Sequence, residues 1–370
     1  MHVGIIGTGL IGGSIASGLV EHHEVSCFDP NEERAAQVQA QLPKVRVAST
    51  LADTFSRCDL VVIASPVGEI ASIARLILET TNAVVTDVGS VKGPVLRELD
   101  SCSVELRRRF VGGHPMAGSE QDGLAGADSQ LFEGAIWITT PTHDTSPRAL
   151  QLVQEMIQDL GAQQVVLDAA EHDALVAVIS HLPQLVASSL MALAADHSQH
   201  AALARLAAGG FRDMTRIAAS HPAIWPDICI SNREAILRAL DGFSDRIDRV
   251  RSLVDNGDRT GLLELLEGSR AARRSLPVGA ELAGPLSELR IPIPDRPGVL
   301  AEITAAASAL GVNISDIETT HSPEGDRGVL VLVVRSVEAP ILEARLAESG
   351  YRASTQHVGP QSPTEERGRS

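Results

Sequence analysis

The stretch VGIIGTGLIG, residues 3–12, decides the fold class of this chain. Its apolar first half predicts a strand, and the last three of its four glycines, at GxGxxG spacing, lie where that strand turns into a helix. Gly7 permits the tight turn, Gly9 lets the backbone approach a pyrophosphate, and Gly12 lets the helix pack close to the strand. The N–H groups at the start of the helix then face the phosphates. The stretch therefore predicts a dinucleotide site, with a ligand-free tight turn as the alternative.

Asp29 ends the second predicted strand, EVSCFD. A carboxylate at that place accepts hydrogen bonds from the adenosine ribose hydroxyls and repels a 2′-phosphate. Pro30 and Asn31 follow it, so no arginine comes directly after it to pair with a 2′-phosphate. The cofactor is therefore predicted to be NAD rather than NADP.

Two further segments follow predicted strands, at the edge where open α/β sheets bind ligands. They are Ser65-Pro66 and GSVK at residues 89–92. Each is expected either to touch the cofactor or substrate or to be only a turn. The predicted cofactor contacts are Gly7, Gly9, Leu10, Ile11, Gly12, Asp29, Ser65 and Pro66.

The apolar pattern changes twice along the chain and predicts three domains. Strand-like and helix-like blocks alternate over residues 1–167, which is typical of an α/β Rossmann-type domain with a mostly parallel sheet. Residues 168–285 are rich in Ala and Leu with helical periodicity, which predicts an all-α domain. Residues 286–358 follow the βαββαβ order of the ferredoxin-like fold. Gly161 is predicted to end a helix, and the polar residues 359–370 to form a disordered tail.

Composition favours a small-molecule function. Of the 370 residues 44% are hydrophobic, yet no uninterrupted run reaches the ~20 apolar residues of a membrane span. The start of the chain lacks the basic region and cleavage site of a signal peptide. A net charge of −16, with only six Phe, two Trp and one Tyr, argues against nucleic-acid binding. The four widely spaced cysteines predict reduced thiols rather than disulfides or a metal site. We expect a soluble cytoplasmic protein that binds neither membrane nor nucleic acid.

Several motifs in a fixed order carry a specific family resemblance. They are the glycine-rich start, GSVK, GHPMAGSE at residues 113–120, SHLP at 180–183 and GGFRDMTR at 209–216. Over residues 2–285 the chain resembles the prephenate and arogenate dehydrogenases of tyrosine biosynthesis. DRPGVL at residues 295–300, together with the βαββαβ order, resembles an ACT domain, an amino-acid-sensing module.

The resemblance implies an NAD-dependent oxidative decarboxylation of prephenate to 4-hydroxyphenylpyruvate. NAD takes a hydride from the ring carbon that bears the hydroxyl, and the ring carboxylate leaves as CO2. Two alternatives stay open: an enzyme for arogenate, which has an amino group in place of the keto group, and a sensor that binds NAD and an amino acid without turnover. The GHPMAGSE loop, Ser90 and Arg216 favour an enzyme, since a sensor would not need them.

The resemblance makes His114 and Ser90 the catalytic residues. The reaction calls for a base or strong acceptor at the substrate hydroxyl, and the ordinary pKa of histidine, about 6.5, suits that task. Ser90 is expected to hydrogen-bond the same hydroxyl near the nicotinamide, with Lys92 close by. Glu120 matches a family position that closes the pocket, and a surface carboxylate is the alternative.

Prephenate is a dianion, so its pocket in this acidic chain needs local positive charge. Arg216 is the expected partner, because a guanidinium binds a carboxylate bidentately. Asp213 is expected to orient Arg216 or His181, or else to form an exposed helix salt bridge, and Gly209 opens the same motif. Trp225 is placed by the resemblance near the substrate across a subunit contact, with core packing as the alternative.

His172 and His181 are separated by about 900° of rotation on a continuous α-helix, which points them to opposite faces. Only one is therefore expected to line a given pocket. The resemblance selects His181 for substrate binding and leaves His172 as a helix-start residue. Gln184 replaces a second histidine that the family often carries, which puts nearby substrate contacts in doubt.

Two partners are expected besides the substrate. The Ala-rich helices of residues 172–208 have small side chains that allow close packing, which is consistent with a homodimer. By resemblance, an amino-acid effector binds the ACT domain at residues 295–300 and 313–316, tyrosine first and phenylalanine second. A dimerisation module without a ligand is the alternative.

Overall fold

The computed structural model describes residues 1–118, 123–198, 203, 205–274, 285–294, 296–321 and 327–358. The chain forms two compact units. The first consists of residues 1–197 and 215–244, and the second of residues 198–214 and 245–370.

The first unit is built on an eight-stranded sheet with the order β3-β2-β1-β4-β5-β6-β7-β8. Its strands are β1 His2–Ile6, β2 Glu24–Phe28, β3 Arg46–Val47, β4 Leu60–Ile63, β5 Val84–Asp87, β6 Phe110–Pro115, β7 Ile136–Thr140 and β8 Gln163–Val166. Every neighbouring pair is parallel except β6 and β7, which are antiparallel. The predicted mostly parallel sheet is confirmed. The two-residue strand β3 is an addition that the apolar pattern did not predict.

Helices cover both faces of this sheet. They are α1 Leu10–Leu19, α2 Glu32–Gln41, α3 Leu51–Phe55, α4 Val67–Thr80, α5 Gly93–Leu99, α6 Val104–Arg107 and α7 Pro147–Asp159. Successive residues of β4 face opposite ways, so Val62 joins the core beside α1 and α7 while Val61 joins the core beside α4. Asn31 starts α2 by accepting hydrogen bonds from two backbone N–H groups of its first turn. Gly161, with φ +72°, follows α7 in the left-handed region, as predicted.

Beyond the sheet the described residues as far as 274 form helices and turns, as predicted. The elements are α8 Ala169–Val176, a π-helical turn Ala177–His181, α9 Leu182–Ala195, α10 Gly209–Thr215, 3₁₀ turns Arg216–Ala219 and Pro222–Ile224, α11 Trp225–Ser231, α12 Arg233–Asp255 and α13 Arg259–Arg274. Within the described part of this region the structure contains no strand.

The helical run Ala169–Ala195 is long and apolar enough to cross a membrane by length and composition, with 28% of its most apolar window buried. Helices at the core of proteins outside membranes pass the same test, so it is weak evidence. The polar side chains of His172, Asp173 and His181 lie buried in this run. Its apolar character therefore assigns no membrane span.

The last described segment forms a four-stranded antiparallel sheet with the order β10-β11-β9-β12. Its elements are β9 Leu286–Pro294, α14 Val299–Ala309, β10 Asp316–His321, β11 Arg327–Arg335, α15 Ala339–Glu348 and β12 Ser354–Val358. Apolar side chains of both helices, including Ile303 and Leu342, bury the sheet face that carries Ile291 and Leu332. The βαββαβ prediction is confirmed. The predicted tail, residues 359–370, lies outside the described residues.

Candidate active site

The turn between β1 and α1 has the shape that a dinucleotide needs. Gly7 has φ +90°, and a Cβ added there would lie 2.4 Å from the carbonyl oxygen of Ala64. A Cβ added at Gly12 would lie 2.0 Å from the carbonyl oxygen of Gly7, so helix and turn are in close contact. A Cβ added at Gly9 would have no neighbouring atom within 4 Å. The helix start also carries no side-chain cap and no acidic residue in its first turn, Leu10 and Ile11 included. This site fits an anionic pyrophosphate.

Asp29 fixes this turn from the end of β2. Its buried carboxylate accepts hydrogen bonds from the backbone N–H of Thr8 at 2.8 Å and the Thr8 hydroxyl at 2.9 Å. The other carboxylate oxygen accepts from the backbone N–H of Asn31 at 2.9 Å. A carboxylate has about four acceptor positions. Three are taken by these donors, which leaves capacity for a ribose hydroxyl.

The strand order reverses between β1 and β4, the place where open α/β sheets form their ligand crevice. The turn at Gly7 follows the end of β1 at this place. Ser65 and Pro66 follow the end of β4 beside it, and Pro66 directly precedes α4. Ser90 lies on the turn after β5, the next strand in the sheet. The cofactor residues chosen from the sequence therefore share one edge of the sheet.

A buried ion pair holds the turn that carries Ser90. The Lys92 ammonium donates to the Asp87 carboxylate and, at 2.6 Å, to the carbonyl oxygen of Gly113. Asp87 also accepts from the backbone N–H groups of Gly89 at 2.9 Å and Gly113 at 3.1 Å. Burial lowers the pKa of Lys92, and the nearby Asp87 carboxylate opposes that shift. The pair ties the end of β5 to β6 immediately before His114.

His114, on β6, begins a chain of hydrogen bonds. Its Nδ1 lies 2.9 Å from Nε2 of His172, and the two rings pack edge to face with their centroids 5.1 Å apart. Nδ1 of His172 lies 2.8 Å from the Asp173 carboxylate, which also accepts from the backbone N–H groups of Lys92 and Gly93, both at 2.8 Å. Burial opposes ionisation of Asp173, but these hydrogen bonds outweigh it and lower its pKa. Burial, with Lys92 and two neighbouring histidines, holds the pKa of His114 well below its ordinary value.

His181 lies close to this chain at the end of the π-helical turn. The side-chain amide of Asn232 donates to the carbonyl oxygen of Asp173 at 2.8 Å and lies 3.2 Å from Nδ1 of His181. Burial lowers the pKa of His181 to about 4, although the Asp173 charge opposes the shift. The ring of Trp225 meets that of His181 edge to face at 6.3 Å, within one protomer. The indole N–H of Trp225 donates to the hydroxyl of Ser220 at 3.1 Å.

The residue that replaces the family's second histidine is also part of this cluster. Gln184 is buried, and its amide donates to the Ser220 hydroxyl at 3.0 Å, the same oxygen that accepts from Trp225. Ser220 therefore links Gln184 to the aromatic ring beside His181.

The prediction that only one of His172 and His181 lines this region is wrong. It assumed a continuous α-helix, whereas Ala177–His181 is a π-helical turn with i→i+5 hydrogen bonds. The wider turn rotates less per residue and brings both side chains toward His114. His172 lies at the start of α8, as expected, but its side chain is fully buried and joins this cluster. The adjacent pair His172-Asp173 was the sequence signal for this part of the site, while no local pattern marked Asn232.

The remaining predicted substrate residues lie on the helices after α9. Arg216 is exposed and begins a 3₁₀ turn that packs on α9 within the first unit. Gly209 and Asp213 are exposed on α10 and belong to the second unit. Glu120 lies outside the described residues. Within the described part of the chain no group of three or more His, Cys, Asp or Glu side chains is arranged to hold a metal ion.

Comparison with protein families identifies the chain. The nucleotide-binding domain of prephenate dehydrogenase matches residues 16–166, its dimerization domain matches residues 168–268, and the ACT domain matches residues 287–348. The chain belongs to the prephenate dehydrogenase family. The fold class expected from the sequence, with its Rossmann-type, helical and ACT parts, is thereby confirmed.

Individual members of the prephenate dehydrogenase family are similar over most of their length. The prephenate dehydrogenase of Bacillus subtilis (strain 168) is 35% identical over 346 residues, which cover 90% of this chain and 91% of the relative. A crystal structure of the A. aeolicus prephenate dehydrogenase, in complex with hydroxyphenyl propionate and NAD+, is 32% identical with a TM-score of 0.68. It covers 74% of this chain and 97% of that chain. The Synechocystis arogenate dehydrogenase structure is 27% identical with a TM-score of 0.63, covering 74% and 99%.

Proposed function

We propose that this chain catalyses the NAD-dependent oxidative decarboxylation of prephenate to 4-hydroxyphenylpyruvate and CO2. The observation that carries the proposal is the partly buried His114, whose pKa burial holds well below its ordinary value, beside the sheet edge that holds the glycine-rich turn. Membership of the prephenate dehydrogenase family supports the reaction type. The A. aeolicus relative, crystallised with NAD+ and a hydroxyphenyl ligand, supports the cofactor and the ring chemistry.

NAD, when bound along the turn of Gly7, Gly9 and Gly12, supplies the hydride acceptor. His114 accepts the proton of the substrate hydroxyl, and the electron density released at that oxygen promotes departure of the hydride from the same carbon. Loss of the ring carboxylate as CO2 leaves its electron pair in the ring, which becomes aromatic. The proton held by His114 then returns to the ring oxygen, so the residue ends the cycle uncharged. Ser90 hydrogen-bonds the hydroxyl and aligns it.

The substrate carboxylates need positive charge, which we assign to Arg216. We assign the remaining contacts to His181, Glu120, Asp213, Gly209 and Trp225, as inferred from the family motifs. The low pKa of His181 supports a neutral imidazole that donates or accepts a hydrogen bond without adding charge. The family matches also support domain boundaries near residues 167 and 285.

The test is an assay of purified full-length protein with prephenate or arogenate, each with NAD or NADP, followed by the absorbance of the reduced nicotinamide and by CO2 release. Prephenate with NAD is expected to give the highest kcat/KM. Faster turnover of arogenate would replace the substrate assignment by the alternative that the similarity to the Synechocystis arogenate dehydrogenase favours. Absence of reduction with every pair would favour a sensor that binds NAD without turnover.

We also propose that the chain is a homodimer. The helical run from α8 through the π-helical turn to α9 exposes apolar side chains in the single chain, among them Ile179 at 61% and Leu193 at 70%. Such exposure is costly in water and is typical of a surface that a partner covers. The dimerization-domain match over residues 168–268 supports the same surface. Light scattering should give twice the chain mass, and Leu193→Glu should lower it. A monomeric wild-type protein would contradict the proposal.

We further propose that the ACT domain binds an aromatic amino acid, tyrosine first. Gly298, with φ +93°, directly precedes α14, whose first backbone N–H groups carry no side-chain cap and suit a carboxylate. Asp295 of the same loop lies outside the described residues. Calorimetry of full-length protein with millimolar tyrosine should show heat of binding, and its absence with both tyrosine and phenylalanine would make the domain structural.

All four cysteines are unpaired, which supports a cytoplasmic location.

A further inference from the structure

We propose that His172 is a positioning residue that keeps the proton of His114 on Nδ1, so that Nε2 of His114 carries the lone pair that accepts the substrate proton. The hydrogen-bonded chain of Asp173, His172 and His114 would then act as a relay that selects one tautomer of His114. The role of the lone pair in catalysis rests on the proposed function, whereas the tautomer itself does not. His172 lay outside the site residues chosen from the sequence.

The first step of the argument is the proton between Asp173 and His172. One oxygen of Asp173 accepts from the backbone N–H of Lys92 and faces Nδ1 of His172, and the other accepts from the backbone N–H of Gly93. An ionised carboxylate only accepts hydrogen bonds. The hydrogen bond at 2.8 Å therefore requires the proton on Nδ1 of His172.

The second step follows from the chemistry of a neutral imidazole, which has one donor and one acceptor nitrogen. With its proton on Nδ1, His172 offers Nε2 as an acceptor. The atom 2.9 Å away is Nδ1 of His114, which must then be the donor. His114 is uncharged, so its second nitrogen, Nε2, has no proton and keeps its lone pair. Free histidine has no partner that imposes this arrangement.

The groups around His114 and His181 disfavour a charge on either ring. Lys92, from the turn before α5, pairs with Asp87 at the end of β5. Asp173 on α8 is the remaining carboxylate of the cluster, and His181 from the π-helical turn is neutral near neutral pH because burial lowers its pKa to about 4. Burial and the Lys92 charge disfavour protonation of His114. A doubly protonated His172 would instead donate from both nitrogens and force the proton of His114 onto Nε2.

Nuclear magnetic resonance of ¹⁵N-labelled histidine distinguishes these two arrangements in full-length protein without substrate. Signals lost in His114→Asn identify His114. At about pH 8 the proton of His114 is expected on Nδ1 in the wild type and is expected to leave that position, wholly or in part, in His172→Asn. A wild-type His114 with its proton on Nε2 would overturn the proposal, whatever the activity of the enzyme.

Two amide substitutions separate positioning from packing. The His172→Asn amide lies near the former Nδ1 and still donates to Asp173, but it offers no acceptor to His114. The His172→Gln amide reaches the former Nε2 position, where its oxygen accepts from His114. We expect His172→Asn to lower kcat about 100-fold with little change in KM, within the range that a positioned base contributes. His172→Gln should retain at least about ten times more activity than His172→Asn.

The control is His143→Asn, which makes the same change at a histidine whose side chain is 91% exposed. It should match the wild type in kcat and in the tautomer of His114. Equal losses in His172→Asn and His172→Gln would show that His172 only packs, and would overturn the positioning role. If the wild type reduces NAD with neither substrate while His114 carries its proton on Nδ1, the proposed function fails and the tautomer assignment stands.

Discussion

Replacing Lys92 by Met tests how much the buried ion pair contributes to the stability of the sheet. Lys92 is 1% and Asp87 0% exposed, so water cannot solvate the carboxylate that Lys92→Met leaves behind. Breaking a buried pair costs about 3–5 kcal/mol. Asp87 keeps two backbone donors, from Gly89 and Gly113, so we expect the lower end, about 3 kcal/mol. At roughly 2–4 °C per kcal/mol, the thermal midpoint of this unit should fall by about 6–12 °C.

The assay is thermal unfolding of the full chain, followed by circular dichroism. Lys44→Met is the matched control, because Lys44 pairs with Glu21 at the surface, where both side chains are more than 60% exposed. Its midpoint should stay near that of the wild type. The double variant Asp87→Asn with Lys92→Met removes the unpaired charge and should recover part of the loss. A midpoint for Lys92→Met no lower than for Lys44→Met would refute the reasoning.

Four further outcomes are expected. Asp29→Ser should lower the ratio of kcat/KM with NAD to kcat/KM with NADP. A wild-type ratio at or below one would contradict the cofactor preference. Arg216→Ala should mainly raise KM for prephenate, and an unchanged KM would remove it from the substrate site. His114 acts in its uncharged form, and its pKa is lowered below the ordinary value of about 6.5. Protonation of His114 should therefore reduce the activity of the enzyme only well below pH 6.5, and kcat/KM should stay constant from pH 8 down to about pH 6.5. A chain ending at residue 285 should remain active and no longer respond to tyrosine, and a retained response would place the effector elsewhere.

The parts of the fold that the sequence predicted are those with a local physical cause. Contacts within a few residues or with the adjacent strand require glycine at positions 7 and 12. Such local requirements produce a glycine spacing that can be recognised in the sequence. The sheet and the ACT domain follow from runs of apolar residues long enough to show a period. The strand Arg46–Val47 has only two residues, too few for any period, and its place comes from pairing with β2.

The candidate site was predictable only in part, because its polar network joins distant segments. His114 was found from its motif, but Asn232 reaches Asp173 across 59 positions of the chain, and no local pattern announces that contact. His172 was misjudged for a different reason. The prediction used the repeat of the commonest helix, and the helix in question departs from that repeat between the two histidines.

That departure lets the segment Ala177–His181 hold one residue more than an ordinary helical turn. Deleting one residue there would restore an ordinary helical repeat and leave the helix downstream in nearly its present phase, because the π-helical turn takes up the extra residue within about one revolution. His172 and His181 would then be eight positions apart, about 80° beyond two full revolutions, so both side chains would stay on the same half of the helix. Substitution of the exposed Val178 or Ile179, by contrast, keeps the residue count and hence the π-helical turn. In comparing or engineering such chains, a single gap in this segment should therefore be interpreted as the loss of the π-helical turn rather than as the loss of an active-site side chain.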